Sequence, residues 1–452
     1  MSLHQRERPC SGGASESPGS RFTRERSLVR HQVSDEPARD PSHPVWRDLG
    51  SRRTRLVAAL ASAALLAMAA AAPAQAAKRR VPFGLFGVNV SSRLAAAPNA
   101  TLDSQMALMA RSGVESVRLL LPWESMEPVQ GRFNFSYSDR LIAGAARHGL
   151  AVLANVVGTP RWASSQPSLE TYPFPHAYAP RSPQLFADFM TALVRRYGPR
   201  GTFWSDIRRL NPAGLSRAPI RHWQIWNEQR IRTFWATEPW APTYTRLLRA
   251  AYLAIHRADP GAKVVAGSLP PIPAASQWQQ AEDLYRAGAK RYFDELSIHA
   301  FTAGTGVPVR VSIKRMVFTF QLVRDVMKRH GDGRKSIIDT ELNWPAAVGF
   351  VPSTRLLGIE STPRGARSRL TAAYNHLATH MRQTRVVQAY WFIWDSDFNP
   401  NYQGSDVGSA FSGLVRAFAD GRFVPQPVLR TYARVAARFE GCRKSSNARV
   451  CR

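Results

Sequence analysis

From about residue 83 to residue 440 the chain alternates between two hydrophobic patterns. Short apolar runs stand at 86–90, 116–120, 151–155, 222–226, 263–267, 295–299, 336–340 and 387–391. They lack clean apolar/polar alternation, which suits parallel strands covered on both faces. Between them lie stretches of helical period. Residues 183–197 keep Phe186, Phe189, Met190, Leu193, Val194 and Tyr197 on one face. Ser182 is placed to cap that helix, Pro183 fits its first turn and Gly198 stops it. The stretches 141–148, 316–330 and 428–439 close at Gly149, Gly331 and Gly441. Eight strands, each followed by a helix, predict an α/β chain with a single (β/α)8 TIM barrel over 83–440 and long β→α loops. A doubly wound open sheet is the alternative. The turn after the first strand, Ser91-Ser92-Arg93-Leu94, has none of the glycines of a phosphate cradle.

The first 76 residues break this pattern. Residues 1–50 are polar and rich in Gly, Ser and Pro, so they read as a disordered or mis-started leader, with translation expected nearer Val45. Arg52-Arg53-Thr54-Arg55, an apolar run over 56–72 and Ala74-Gln75-Ala76 make 51–76 a secretory signal peptide. An uncleaved anchor is the alternative. The mature chain is expected to be secreted or cell-wall associated, with no stable membrane insertion. Residues 441–452 form a basic tail in which Cys442 and Cys451 can pair.

Composition adds limits. Three Cys in 452 residues exclude a disulfide scaffold, and no Cys/His cluster points to a metal. The net charge of +29 is spread along the chain and not gathered in a tail. No dense Lys/Arg run with interleaved aromatics suggests a nucleic-acid groove. The excess reads first as a basic solvated surface, with affinity for an acidic wall polymer or polysaccharide as the sharper alternative.

In a barrel, chemistry sits at the C-terminal ends of the strands. Asn89, Arg118, Asn155, Asn227, Glu228, His299, Glu341 and the stretch 391–395 stand there. Glu228 follows the fourth strand and Glu341 the seventh, so both can converge over the mouth. Two carboxyls about 5 Å apart suit retaining glycoside hydrolysis, one attacking carbon and the other donating a proton. Their mutual repulsion keeps one of the two protonated near neutral pH.

These residues carry a resemblance. Phe86-Gly87-Val88-Asn89, Arg118, Trp226-Asn227-Glu228, His299 and Thr340-Glu341 resemble the clan A glycoside hydrolases, closest to the family 39 and family 5 branches. So do Leu121-Pro122-Trp123-Glu124 with Glu127-Pro128, 131–135, and the segment from Gly413 to Pro427. The resemblance covers residues 83–440. It implies Glu228 as general acid/base and Glu341 as nucleophile. It further implies Asn227 on the sugar 2-hydroxyl, Arg118 holding Glu341 ionised and His299 orienting the pair. The implied function is a secreted retaining O-glycosyl hydrolase acting on a β-glycosidic bond, with a carbohydrate substrate and without cofactor or metal.

Two features depart from the clan. His299-Ala300-Phe301 stands where His-x-Tyr is common, so a hydroxyl partner for the nucleophile is either missing or supplied elsewhere, with Tyr390 and Tyr402 as candidates. Gln229-Arg230-Ile231-Arg232 is basic, and with Arg355, Arg364 and Arg367 it hints at an anionic polysaccharide. Trp391, Trp344 and Trp123 are expected to stack on sugar, with Asp395 on the cleft wall and Trp162 packing beneath. The rival reading is a catalytically inactive barrel that binds cell-wall or anionic polysaccharide.

Overall fold

Eight parallel strands close on themselves, each hydrogen-bonded to the next and the eighth back to the first. They are β1 (Phe86–Asn89), β2 (Ser116–Pro122), β3 (Ala151–Val157), β4 (His222–Ile225), β5 (Lys263–Leu269), β6 (Glu295–His299), β7 (Ser336–Leu342) and β8 (Val386–Trp391). The computed structural model describes residues 79–169, 176–210, 217–399, 401 and 407–441. The expected leader, the export segment 51–76, Tyr402 and the Cys442/Cys451 tail lie outside the described residues. The fold is a (β/α)8 barrel, and each expected strand is present within a residue or two of its apolar run. Every residue of β1 and of β6 is buried, as strands sandwiched between a filled interior and a helical ring require.

The helical ring follows the capping signals. Ser182 caps Pro183–Tyr197, its hydroxyl accepting from Gln184 N at 3.3 Å. Gly441 follows Pro427–Glu440 in a left-handed conformation (φ 72°). Two helices, Ser136–Arg147 and Val309–Arg329, begin earlier than their apolar periodicity reveals. Among the described residues, no helix is long and apolar enough to cross a membrane.

Within the barrel an apolar layer of Leu153, Val265, Ile338 and Tyr390 fills the interior. Tyr390 lies flat against β1, where only glycine fits: a Cβ at Gly87 would come 2.5 Å from its ring. Its hydroxyl donates to Gln388 Oε1 at 3.0 Å, so this tyrosine belongs to the packed floor and is not the partner sought for Glu341. Above this layer the interior turns polar. Beyond β8 the chain builds a small sheet of β9 (Asp395–Ser396), β10 (Val415–Ala417) and β11 (Phe423–Pro425), with β10 parallel to β9 and antiparallel to β11.

Candidate active site

Arg118, on β2, organises the polar layer. Its Nη1 donates to Glu341 Oε1 at 2.9 Å and to Asn89 Oδ1 at 2.8 Å. Nε donates to Gln224 Oε1 at 2.8 Å, and Nη2 to Asn227 Oδ1 at 2.6 Å. With its amide oriented to donate to Trp226 O, Asn155 accepts from Nη2 at 2.9 Å. All the N–H donors of the guanidinium are therefore used, by groups from β1, β3, β4, the turn after β4 and β7. Gln224 continues the network to Ser268 Oγ at 2.7 Å. The planar fork fixes directions that a lysine could not.

Glu228 is aimed by an unusual turn. β4 ends at Ile225, one residue short of its apolar run, because Trp226 adopts a left-handed backbone (φ 71°) and Glu228 another (φ 46°). Such conformations cost about 1–3 kcal/mol each and persist where the surroundings hold them. Here the Trp226 backbone N–H donates to Val156 O at 2.9 Å and its indole N–H to Phe234 O at 2.6 Å. The carboxylate is thereby turned over the mouth. His299, fully buried at the end of β6, lies between the two acids: Nδ1 is 2.7 Å from Glu228 Oε1 and Nε2 is 3.5 Å from Glu341 Oε1. One carboxylate oxygen of each Glu and a ring nitrogen of His299 lie within 4.8 Å of one another.

Burial dominates the electrostatics. It pushes His299 down to about 4, so the ring is neutral at ordinary pH. It pushes the Glu341 carboxyl above the usual carboxylate range, with His299 and Arg118 pulling it back and Glu228 adding to the rise. The same three donors, Glu228, His299 and Glu341, are spaced closely enough to ligate a divalent ion. Arg118, 2.9 Å from Glu341, already supplies a permanent cation to that donor set. The arrangement suits proton transfer between acids better than metal ligation.

Both carboxylates line one open cavity of about 600 Å³. Asn89, Arg118, Asn155, Asn227, Glu124 and Phe392 share that lining. Sequence reasoning passed over Phe392, Gln224 and Phe234, and it quoted Glu124 only within a motif. The tryptophan expectations are corrected. Trp123 is buried, its indole N–H donating to Glu127 Oε2 at 2.7 Å and its ring stacked 5.5 Å from Phe189. Trp344 and Trp391 are also buried, the latter donating to Ser412 O at 2.9 Å. None of the three lines the cavity. Phe392, just past the end of β8, lines it instead, together with Ile393. Trp162 packs edge-on against Trp123, as expected. Asp395 is corrected too: it is buried on β9, accepting from Ser91 Oγ at 2.5 Å beside Arg93 at 3.8 Å. The basic residues Arg230, Arg232, Arg355, Arg364 and Arg367 do not line the cavity. The expected Glu127-Pro128 segment holds the loop, with Glu127 Oε1 accepting from Gly131 N at 2.8 Å.

The family model for glycoside hydrolase family 42, described as beta-galactosidase, matches residues 95–176. That stretch includes Arg118 and ends before either carboxylate. No curated protein matches the chain. Among solved structures, a family 39 glycoside hydrolase from the gut symbiont Bacteroides cellulosilyticus WH2 is similar at 18% identity and a TM-score of 0.54, over 79% of this chain and 64% of that one. This chain thus spans less than two thirds of that protein's length. A family 39 beta-xylosidase from Caulobacter crescentus aligns at 14% identity and a TM-score of 0.52, over 80% of this chain and 73% of that one. A family 51 alpha-L-arabinofuranosidase from Bifidobacterium longum aligns at 16% identity and 0.54, over 81% and 75%. In its barrel and in the matched segment, the chain resembles the clan A glycoside hydrolases.

Proposed function

We propose that this chain is a retaining glycoside hydrolase. The observation that carries the reading is the approach of Glu228 and Glu341 to within 4.8 Å inside one open cavity, close to the roughly 5 Å spacing of double-displacement enzymes. Glu341 attacks the anomeric carbon while the bond to the leaving oxygen breaks and Glu228 protonates that oxygen. A glycosyl ester on Glu341 results. Glu228, now ionised, takes a proton from water, which attacks the same carbon and releases Glu341. Arg118 fixes the attacking oxygen. His299 Nδ1, 2.7 Å from Glu228 Oε1, orients the acid/base carboxyl. Asn227 has its Oδ1 committed to Arg118, so its amide N–H is the group turned to a sugar hydroxyl. The carboxylates supply the chemistry, so the mechanism calls for no cofactor. Export through the segment 51–76 and action on a β-linked glycan belong to the same proposal.

The test is to screen the chain against aryl glycosides and then follow the cleaved substrate by ¹H NMR. The first anomer formed should keep the substrate's configuration. Appearance of the inverted anomer first would rule out the glycosyl-Glu341 ester.

The pH profile gives a second check. Glu341 must be ionised to attack, and its folded pKa lies above the ordinary 4.5 because the group is buried. Activity is therefore lost as pH falls through that raised value. The acid limb of kcat/KM is expected above pH 4.5. A limb at or below that value contradicts the assignment.

A further inference from the structure

Resting on the glycosidase reading, we infer that Glu124 is a sugar-binding, specificity-setting carboxylate and that the cleft takes a neutral sugar in preference to an acidic one. Glu124 sits in the short helix Trp123–Met126 directly after β2 and lines the same cavity as Glu228 and Glu341. The two-step mechanism gives it no role. Its seat is nevertheless built. Gly158, just past β3, has a left-handed backbone (φ 81°), and a Cβ there would lie 2.0 Å from Glu124 Oε2. Any side chain at 158 would evict the carboxylate. The turn carrying Glu124 is stapled on both sides by Trp123 and Gly131 donating to Glu127. Oε2 is shielded from solvent at its base, and the residue as a whole is half-buried at the cavity wall.

Charge then selects the substrate. Among the described residues lining the cavity, three carboxylates (Glu124, Glu228 and Glu341) face one guanidinium, Arg118. All the Arg118 donors already have protein acceptors. The other basic side chain in the lining, His176, has its Nδ1 against Thr159 O at 3.2 Å. With Glu228 protonated for the first step, a uronic acid would bring a third negative charge into this space and, among the described lining residues, meet no guanidinium or ammonium with a donor to spare. Sugar hydroxyls are donors, and a carboxylate accepting from them forms charge-assisted bonds roughly twice as strong as neutral ones. The basic loops that hinted at an anionic polymer point elsewhere.

The test uses the full chain, Glu124→Gln and Glu341→Gln with 4-nitrophenyl glycosides of xylose, glucose, galactose, mannose, arabinofuranose and glucuronic acid. Wild type is expected to cleave at least one neutral glycoside and to leave the glucuronide below about 1% of that rate. Glu124→Gln should lose at least about tenfold in kcat/KM on the preferred glycoside, about 1.4 kcal/mol, with an unchanged melting temperature. Preference for the glucuronide, or undiminished kcat/KM in a folded Glu124→Gln, overturns this inference and leaves the two-carboxylate mechanism intact. Cleavage of none of these glycosides, or activity that survives Glu341→Gln, overturns the mechanism and this inference with it.

Discussion

Glu341→Gln is expected to lower kcat/KM by at least about a thousandfold, or roughly 4 kcal/mol in the barrier, while the chain stays folded. The amide keeps the size of the carboxylate and an oxygen that can still accept from Arg118 Nη1, so the network around Arg118 survives. What disappears is the anionic oxygen that must bond to the anomeric carbon. Glu228→Ala should behave differently. It removes a proton donor worth about 10²–10⁴-fold, and a leaving group as acidic as 4-nitrophenol needs little protonation. The first step then survives, and added azide can take the glycosyl group from Glu341 without a general base. A glycosyl azide of retained configuration from Glu228→Ala, and no such product from Glu341→Gln, would separate the two roles. Full activity of Glu341→Gln on a substrate of the wild type would end the two-carboxylate reading.

The barrel was legible because its strands are buried on both faces, which leaves unbroken apolar runs that no surface strand would show. The convergence of Glu228, His299 and Glu341 was legible for a related reason: in such a barrel, strand ends share one rim. The direction of each side chain at that rim was not. Runs without alternation hide which residues face inward, and the pairing of β7 with β8 shifts register between Asp339 and Leu342. Trp391 lies in the buried outer layer and Phe392 lines the cavity, where the aromatic pattern alone favoured Trp391. Trp123 and Trp344 fail likewise, since large aromatics near strand ends also serve the helix-facing core. Asp395 was placed in the cleft because it follows β8, but the small sheet of β9–β11 carries it back under Ser91. Gln224 and Asn155 join Arg118 from other strands, and nothing local to either residue signals that meeting.

The dependence of the site on that meeting sets the second large effect. Arg118→Met is expected to destabilise the chain by about 3–5 kcal/mol, the usual cost of stripping one partner from a buried ion pair. Only 6% of the Arg118 side chain is exposed. Methionine fills similar volume but donates nothing, so Glu341, Asn89, Gln224 and Asn227 each lose a donor inside the barrel. Arg118→Lys should fall between the two, because a compact ammonium keeps the charge yet cannot serve acceptors arrayed around a planar fork. Arg118 also pulls the Glu341 pKa down, so its removal lets that pKa climb further. Whatever activity remains in Arg118→Lys should then show an acid limb no lower than that of wild type, and in Arg118→Met a higher one. Urea denaturation measures the stability order directly. Pairing Arg118→Met with Glu341→Leu should recover part of the loss, since no buried charge is then left without its partner. If the single variant is as stable as wild type, the network serves only to aim the nucleophile, and the loss will be confined to kcat.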